Sequence, residues 1–194
     1  MLKQKEMDYH SDLNKKLNVA YIHRCTEAEG PYKRMAIWFQ GCDKKCTGCC
    51  NKDLQGFEIK HFMTIKEVLN IIHESQKLYS IEGITLLGGE PLLQKNLMFL
   101  LKEVRNVDLG VILFTGRTIS QVEKNVLQYV DLVVDGEFLI DQIDNERNMI
   151  GSANQSIIHI TERYKKMEDW FISNREKRIE INLSDSIFIT GDVI

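Results

Sequence analysis

Short apolar runs recur along the middle of the chain, separated by stretches with the residue spacing of helices. The runs cover positions 35–39, 83–89, 110–116 and 131–136, and each is apolar at consecutive positions. Strands covered on both faces of a sheet have this pattern, whereas a strand with one solvent-exposed face alternates. The pattern therefore predicts four buried strands.

Apolar residues between these runs fall on one side of a helix. Helices are predicted over 64–77, 92–105 and 118–130. The first has Thr64 and Glu67 at the spacing of a capping box, which is typical of a helix N-terminus. Its apolar face consists of Ile65, Val68, Leu69 and Ile72.

Strands and helices that alternate in this way form right-handed βαβ units and a parallel sheet. A complete eight-stranded barrel typically needs ~250 residues, and this chain has 194. We therefore predict an α/β fold: a partial, open parallel β/α barrel in a single domain over 1–194, with its core at about 18–160. A short C-terminal extension (161–194) is predicted to contain a helix over 161–177. A hairpin or edge strands should follow, because 178–194 alternates with period two.

Composition and charge exclude several classes of protein. Hydrophobic residues make up 43% of the chain and charged residues 27%, which favours a packed core over disorder. The 25 basic residues nearly balance the 28 acidic ones, so no direct nucleic-acid binding is expected. No apolar run approaches the ~20 residues of a membrane span, and the N-terminal segment lacks the apolar core of a secretory signal. We expect a cytoplasmic protein with no membrane partner.

Four of the five cysteines are crowded into positions 42–50, in the loop that follows the first predicted strand. Cys42, Cys46 and Cys49 have the spacing C-x3-C-x2-C. In a reducing compartment, such crowding favours metal or cluster ligation over disulfides. Three thiolates can hold three irons of a [4Fe–4S] cluster, and the fourth iron then keeps an open position, as in catalytic metal sites.

Two alternatives stay open for these cysteines. A zinc site would need a fourth ligand from Cys50 or His61, although the adjacent pair Cys49 and Cys50 is poorly placed to bind one tetrahedral metal. Purely structural thiols are the other alternative, since free cysteine is among the most buried residue types. Cys25 and Cys50 are predicted to be unligated.

A second candidate site follows the second predicted strand, at Gly88, Gly89, Glu90 and Pro91. Two glycines would let a ligand approach the backbone, because no Cβ is in the way. The carboxylate of Glu90 is suited to an ammonium group, and this rim of a parallel barrel carries active-site residues. Pro91 is expected to start the next helix. Alone, the segment would be an ordinary glycine turn.

Together, the cysteine spacing and the GGEP segment resemble the radical S-adenosylmethionine superfamily. The surrounding segments resemble the small glycyl-radical-enzyme activases, above all the anaerobic ribonucleotide reductase-activating group and its single-cluster relatives. The similarity runs from about Gly30 to Ile160. The segments that carry it are EGPYKRMAIWFQGCDKKCTGCCN, LLGGEPLLQ, ILFTGRT, DLVVDGEF and GSANQSIIHI.

The resemblance implies ligands for two cofactors, and it points to no separate catalytic side chain. One [4Fe–4S] cluster would be bound by three residues: Cys42, Cys46 and Cys49. S-adenosylmethionine would be bound at three places: Gly48 and Cys50 at the adenine, Gly88, Gly89 and Glu90 at the methionyl ammonium, and Thr115 at the ribose or carboxylate. A turn residue is an equally good interpretation of Thr115.

The chain also departs from the superfamily pattern. Most members have an aromatic residue just before the third cysteine, where this chain has Gly48. Aromatic contact with adenine would then come from elsewhere, with Phe57 and Phe62 as candidates. Asp135 is expected to be a turn residue and Arg117 a surface charge.

The activity implied by the resemblance is reductive cleavage of S-adenosylmethionine to a 5′-deoxyadenosyl radical, which abstracts a hydrogen atom. The expected substrate is a glycine of a partner enzyme, an anaerobic ribonucleotide reductase. A low-potential electron donor of the flavodoxin or ferredoxin type would be a second partner. One alternative is a radical enzyme that modifies a peptide or a small metabolite, although no cysteine follows Cys50 to hold auxiliary clusters. Another is a non-enzymatic, metal-stabilised binding module.

Overall fold

The computed structural model of the chain describes residues 11–172, 175, 178–183 and 187–191. In this described part, seven strands form the main sheet: β1 (Lys16–Thr26), β2 (Arg34–Phe39), β3 (His61–Thr64), β4 (Gly83–Gly88), β5 (Gly110–Phe114), β6 (Leu132–Asp135) and β7 (Ser156–His159). They lie in the order β3-β1-β2-β4-β5-β6-β7. The four central strands are parallel, and the three outer strands run antiparallel to their neighbours. The predicted open α/β sheet is confirmed, with antiparallel strands added on both sides.

The helices are α1 (Ile65–Tyr79), α2 (Leu97–Asn106), α3 (Lys124–Leu127) and α4 (Glu168–Ile172). Single turns of 3₁₀ helix lie at Lys52–Leu54, Pro91–Leu93, Ile119–Gln121, Ile140–Gln142 and Lys165–Met167. The predicted C-terminal hairpin is present as β8 (Ile179–Leu183) and β9 (Ile187–Gly191), which pair antiparallel. Within the described ranges, none of the helices has both the length and the apolarity to cross a membrane.

Both faces of the parallel strands are covered, which explains their continuous apolar runs. Met35 and Ile37 of β2 pack in the core cluster that also contains the apolar faces of α1 and α2. Successive strand residues point to opposite faces, and Trp38 packs on the second face with Leu87 of β4. We call this second face the concave face.

The C-terminal extension covers part of the concave face. Tyr164 and Phe171 are fully buried and pack against Ile112, Leu132 and Val134 of the sheet. The helix predicted over 161–177 is shorter than expected, because a 3₁₀ turn occupies its first part and α4 ends at Ile172. Positions 173, 174, 176 and 177 of that prediction lie outside the described residues.

Sequence analysis does not predict β1, although it is the longest strand of the sheet. Its pairing with β2 shifts register between Val19 and Tyr21, and again between His23 and Thr26. Irregularities of this kind break the alternation of apolar and polar positions that marks a strand. For this reason β1 has no recognisable period in the sequence.

Two predicted helices are also shorter in the structure. The segment 92–105 begins with a 3₁₀ turn at Pro91–Leu93, and α2 starts only at Leu97. Between them, the Gln94 side chain accepts a hydrogen bond from Asn18 N (2.9 Å) and donates one to a backbone carbonyl that follows β2 (3.1 Å). These bonds hold the chain in a non-helical path. Similarly, 118–130 is divided into a 3₁₀ turn and α3.

The predicted cap of α1 is confirmed. Thr64 Oγ1 accepts a hydrogen bond from Glu67 N (3.2 Å), and Glu67 Oε2 accepts one from Thr64 N (2.7 Å). Because Thr64→Ala removes the acceptor, we expect it to lower the free energy of unfolding by about 1 kcal/mol. Urea denaturation measures this change, and Thr64→Ser, which keeps the hydroxyl, serves as the control. Equal midpoints for the alanine and serine variants would contradict the cap assignment.

Candidate functional site

The carboxyl ends of the four parallel strands border one cavity of about 550 Å³ on the concave face. Its volume lies within the range of small-molecule sites. Every site residue predicted from the sequence lines it: Cys42, Cys46, Gly48, Cys49, Cys50, Gly88, Gly89, Glu90 and Thr115. Residues up to 73 positions apart are thus brought together by the ends of three neighbouring strands.

The cysteine loop starts directly after β2, and backbone hydrogen bonds join its beginning to its end. Gly41 N donates to Leu54 O (2.9 Å), and Cys42 N donates to Gln55 O (3.2 Å). Cys42, Cys46 and Cys49 are partly buried as whole residues, whereas Cys50 is exposed as a whole residue. Burial nevertheless raises the pKa of the Cys50 thiol to about 11. All four cysteines line the same cavity.

Neighbouring thiols affect the ionisation of Cys42 and Cys46. Burial is the main cause that raises the pKa of the Cys42 thiol to about 11, and nearby negative charges, including that of Cys46, add to the effect. Burial also raises the pKa of Cys46, and Glu137 and Cys49 raise it further. Without a metal, ionisation of Cys42 and Cys46 would be opposed by desolvation and by nearby negative charges.

The donor set fits an iron–sulfur cluster chemically. Within the described residues, no group of three or more His, Cys, Asp or Glu side chains is already arranged to hold a metal ion. A bound cluster would replace the thiol protons and hold the sulfurs together. His61, one candidate for a fourth zinc ligand, lies in β3 and does not line the cavity. Of the two proposed zinc ligands, only Cys50 lines the same cavity as the three thiols.

Two ion pairs attach the cysteine loop to neighbouring strand ends. Asp43 pairs with Arg117, which follows β5 (Nη2–Oδ2 2.8 Å), and Lys44 pairs with Glu137, which follows β6 (3.7 Å). The sequence identifies Arg117 only as a surface charge. In the structure it is a quarter exposed and holds the loop in place.

Gly88, the last residue of β4, and Gly89 lie against the backbone of the segment that ends β2 and begins the cysteine loop. Gly89 N donates to Phe39 O (2.8 Å), and Glu90 N donates to Gly41 O (2.9 Å). A Cβ on Gly88 would collide with the backbone of Phe39, and one on Gly89 with the backbone of Gly41. Gly88 also has φ of +107°, which strongly favours glycine. These glycines therefore allow two backbones to pack closely, and the clearance that they would give a ligand stays a prediction.

Glu90 is completely buried, and its carboxylate binds donors of the protein itself. It accepts hydrogen bonds from Leu92 N (3.0 Å), Gly116 N (2.9 Å) and the hydroxyl of Thr115 (2.9 Å). Burial raises the pKa of Glu90, and these hydrogen bonds oppose that rise. The carboxylate therefore joins the ends of β4 and β5, and its contact with an ammonium group stays a prediction.

Aromatic residues at the cavity differ from those expected. Phe57 is 70% exposed and contacts Gly41, and Phe62 lies in β3; neither lines the cavity. Phe114, at the end of β5, and Phe138, in the loop after β6, line it instead. Their positions near the carboxyl ends of two predicted strands are the signal in the sequence, because these strand ends meet at the rim of the cavity.

The loop after β6 forms a further wall of the cavity. Asp135 accepts a hydrogen bond from Ile119 N (2.7 Å) and is followed by Gly136 with φ of +102°, as expected for a turn. Gln155 donates to Gly136 O (2.9 Å) and accepts from Gly151 N (3.0 Å). The GSANQ segment thereby fixes the shape of this wall.

Comparison with known proteins gives consistent results. Residues 28–158 match a family described as a 4Fe-4S single cluster domain. The anaerobic ribonucleoside-triphosphate reductase-activating protein of Pasteurella multocida is 31% identical over 157 residues, which cover 75% of this chain and 99% of that protein. The protein of the same name from Vibrio cholerae is 31% identical over 141 residues, which cover 68% of this chain and 91% of that protein. The crystal structure of QueE from Escherichia coli is only distantly similar, with a TM-score of 0.46 and 13% identity over 68% of this chain and 75% of that one.

Proposed function

The chain belongs to the 4Fe-4S single cluster domain family and to the anaerobic ribonucleoside-triphosphate reductase-activating proteins, and on this premise we propose how its cavity supports radical S-adenosylmethionine chemistry on a glycyl radical partner. The observation that carries the proposal is the meeting of the cysteine loop, the GGE segment and Thr115 around one cavity. The sequence alone predicts each of these as a site residue.

Cys42, Cys46 and Cys49 would hold the cluster through three thiolates, which leaves the fourth iron open for S-adenosylmethionine. When bound, these two cofactors supply a reductive carbon–sulfur bond cleavage and a radical that abstracts a hydrogen atom. The residues of the chain bind and orient them. The Asp43 and Lys44 ion pairs fix the loop against the ends of β5 and β6.

S-adenosylmethionine would lie along the strand ends, with its methionyl group at Gly88, Gly89 and Glu90. The backbone from Gly48 to Cys50 would contact the adenine, and Thr115 would lie near the ribose or carboxylate. Support comes from the position of all these residues on one cavity whose floor is apolar. A fixed, partly dry site of this kind orients a reactive group and limits side reactions.

A glycine of the partner enzyme is the proposed hydrogen donor. Glycine has no side chain to obstruct approach to its Cα, and the main sheet of the described residues is open and not closed into a barrel. A low-potential flavodoxin or ferredoxin would supply the electron.

The proposal is tested by incubating the reconstituted protein anaerobically with the anaerobic ribonucleotide reductase of the same organism, dithionite and S-adenosylmethionine. We expect 5′-deoxyadenosine to form together with a glycyl radical signal in the reductase, recorded by electron paramagnetic resonance. Cleavage without any glycyl radical would favour a peptide or metabolite substrate. Zinc in place of iron and sulfide, without cleavage, would favour a binding module.

Thr115 offers a direct test of how the strand ends are held. Thr115→Val removes the hydroxyl that donates to Glu90 and accepts from Arg117 N (3.1 Å). We expect the free energy of unfolding to fall by about 1–3 kcal/mol and the Kd for S-adenosylmethionine to rise roughly tenfold, about 1.4 kcal/mol. Thermal unfolding and calorimetric titration measure these changes. Thr115→Ser keeps the hydroxyl and should resemble the wild type; equal losses in both variants would refute this role.

A further inference from the structure

The C-terminal extension lies beyond the region that the family model matches. The family match ends at residue 158, and the alignments that span 91% and 99% of two relatives cover only 68% and 75% of this chain. Trp170 and Ile189 from this extension nevertheless line the cavity. The extension therefore contributes residues to the cavity, although it lies outside the matched family region.

The hairpin of β8 and β9 faces the rest of the protein with its polar side. Glu180 Oε1 accepts a hydrogen bond from Glu27 N (2.8 Å), and Gly191 N donates to Glu29 Oε1 (3.1 Å). Thr190, next to Gly191, is only 3% exposed. These contacts attach the hairpin to the loop between β1 and β2.

Its outward side is apolar. Ile179, Ile181 and Ile189 are 57%, 62% and 44% exposed. Ile179 and Ile181 are two positions apart on β8 and so share a face, and Ile181 lies opposite Ile189 in the pairing. Among the described side chains of this hairpin, Glu180 and Thr190 therefore face the protein, and the three isoleucines lie on the other face. We call Ile179, Ile181 and Ile189 the isoleucine face.

The isoleucine face is continuous with the cavity, because Ile189 belongs to both. Exposed apolar surface of this kind marks sites of interaction. On the proposed function, a polypeptide segment of the partner must reach the cavity from outside. The hairpin offers that segment an apolar surface at the cavity mouth.

We propose that the isoleucine face is a docking surface for the segment of the glycyl radical partner that enters the cavity. This inference rests on the proposed function and adds the place where the partner binds. The occupant is an apolar stretch of polypeptide next to the reactive glycine. Side chains of that stretch would cover the isoleucines, while the glycine itself reaches the cavity.

The test uses the double variant Ile179→Thr, Ile181→Thr in the full chain. Threonine keeps the branched shape and strand preference of these positions and removes their apolar character. Neither residue lines the cavity. We expect the KM for the partner reductase to rise about tenfold or more, with 5′-deoxyadenosine formation in the absence of the partner unchanged.

Two controls accompany this variant. Ile179→Val, Ile181→Val keeps an apolar face of nearly the same shape as the threonine variant and should retain a KM close to the wild type. Leu78→Gln changes another exposed apolar residue, 66% exposed on α1, and should leave the KM unchanged.

The outcomes separate the docking surface from the proposed function. A wild-type KM for the threonine variant would overturn the docking surface, even if the wild-type chain activates the reductase. Sedimentation that shows a wild-type dimer dissociating in the threonine variant without the partner would assign the face to self-association and would also overturn it. If the wild-type chain forms no glycyl radical, the proposed function fails, and the docking surface fails with it.

Discussion

Replacing Cys46 with alanine is expected to abolish both cluster binding and cleavage of S-adenosylmethionine. Three thiolates are the minimum for a site-differentiated [4Fe–4S] cluster, and the loss of one leaves two irons without protein ligands. Iron content should fall from about four per chain to near zero after anaerobic reconstitution. Formation of 5′-deoxyadenosine with dithionite should fall to background. Cys42→Ala and Cys49→Ala should behave in the same way.

Two other cysteines provide matched controls. Cys25 lies in β1, packs against the main core and does not line the cavity, so Cys25→Ala should retain iron and activity. Cys50→Ala separates a cluster from zinc, because only a zinc site would need this thiol as the fourth ligand. We expect full iron and sulfide content in Cys50→Ala. Iron retained in Cys46→Ala, or lost in Cys50→Ala, would contradict the assignment of ligands.

The largest expected effect on stability comes from Arg34. This side chain is fully buried at the amino ends of the parallel strands, far from the cysteine loop. It donates to Thr85 Oγ1 (2.8 Å), Glu82 Oε2 (2.9 Å) and the Tyr164 hydroxyl (2.8 Å). It also donates to the carbonyl oxygens of three residues: Pro31, Ile84 and Gly110.

Space for this network is provided by two glycines at strand starts. A Cβ on Gly83 would contact the guanidinium of Arg34, and one on Gly110 would contact the hydroxyl of Tyr164. Tyr164 in turn donates to Glu82 Oε2 (2.7 Å), so the network joins the C-terminal extension to the sheet.

We expect Arg34→Met to lower the free energy of unfolding by about 3–5 kcal/mol, because it removes one of the charges paired with Glu82 and leaves several buried acceptors without the donor that Arg34 supplies. The melting temperature should fall by roughly 10 °C. Arg24→Met is the matched control: its ion pair with Glu74 (2.6 Å) is exposed, and its loss should change stability by less than about 1 kcal/mol. Urea denaturation of both variants measures the difference. A loss for Arg34→Met no larger than that for Arg24→Met would show that the network does not stabilise the fold.

The sequence predicts the parallel strands and the site residues because their signals are local. Consecutive apolar residues mark a strand covered on both faces, and the cysteine spacing is read within eight positions of one loop. The cysteine loop follows β2, and the GGE segment lies at the end of β4. Because the carboxyl ends of neighbouring parallel strands lie at the same rim, these two segments are expected to be close together.

The role of Arg34 is not predicted, because it depends on contacts distant in sequence. A single arginine at the start of a strand indicates an exposed charge, yet Glu82, Thr85 and Tyr164 lie 48, 51 and 130 positions away. Glu90 illustrates the same limit within the site. Its position is predicted from the motif, but its hydrogen bonds to the loop after β5 depend on side-chain geometry at the rim.

On the proposed function, Cys42, Cys46 and Cys49 hold a [4Fe–4S] cluster with one iron open to S-adenosylmethionine. Electron paramagnetic resonance of the anaerobically purified, dithionite-reduced protein tests it, recorded before and after addition of S-adenosylmethionine. We predict the signal of a reduced [4Fe–4S] cluster that changes shape when S-adenosylmethionine is added. A cluster signal that S-adenosylmethionine leaves unchanged, or no cluster signal at all, would contradict the account.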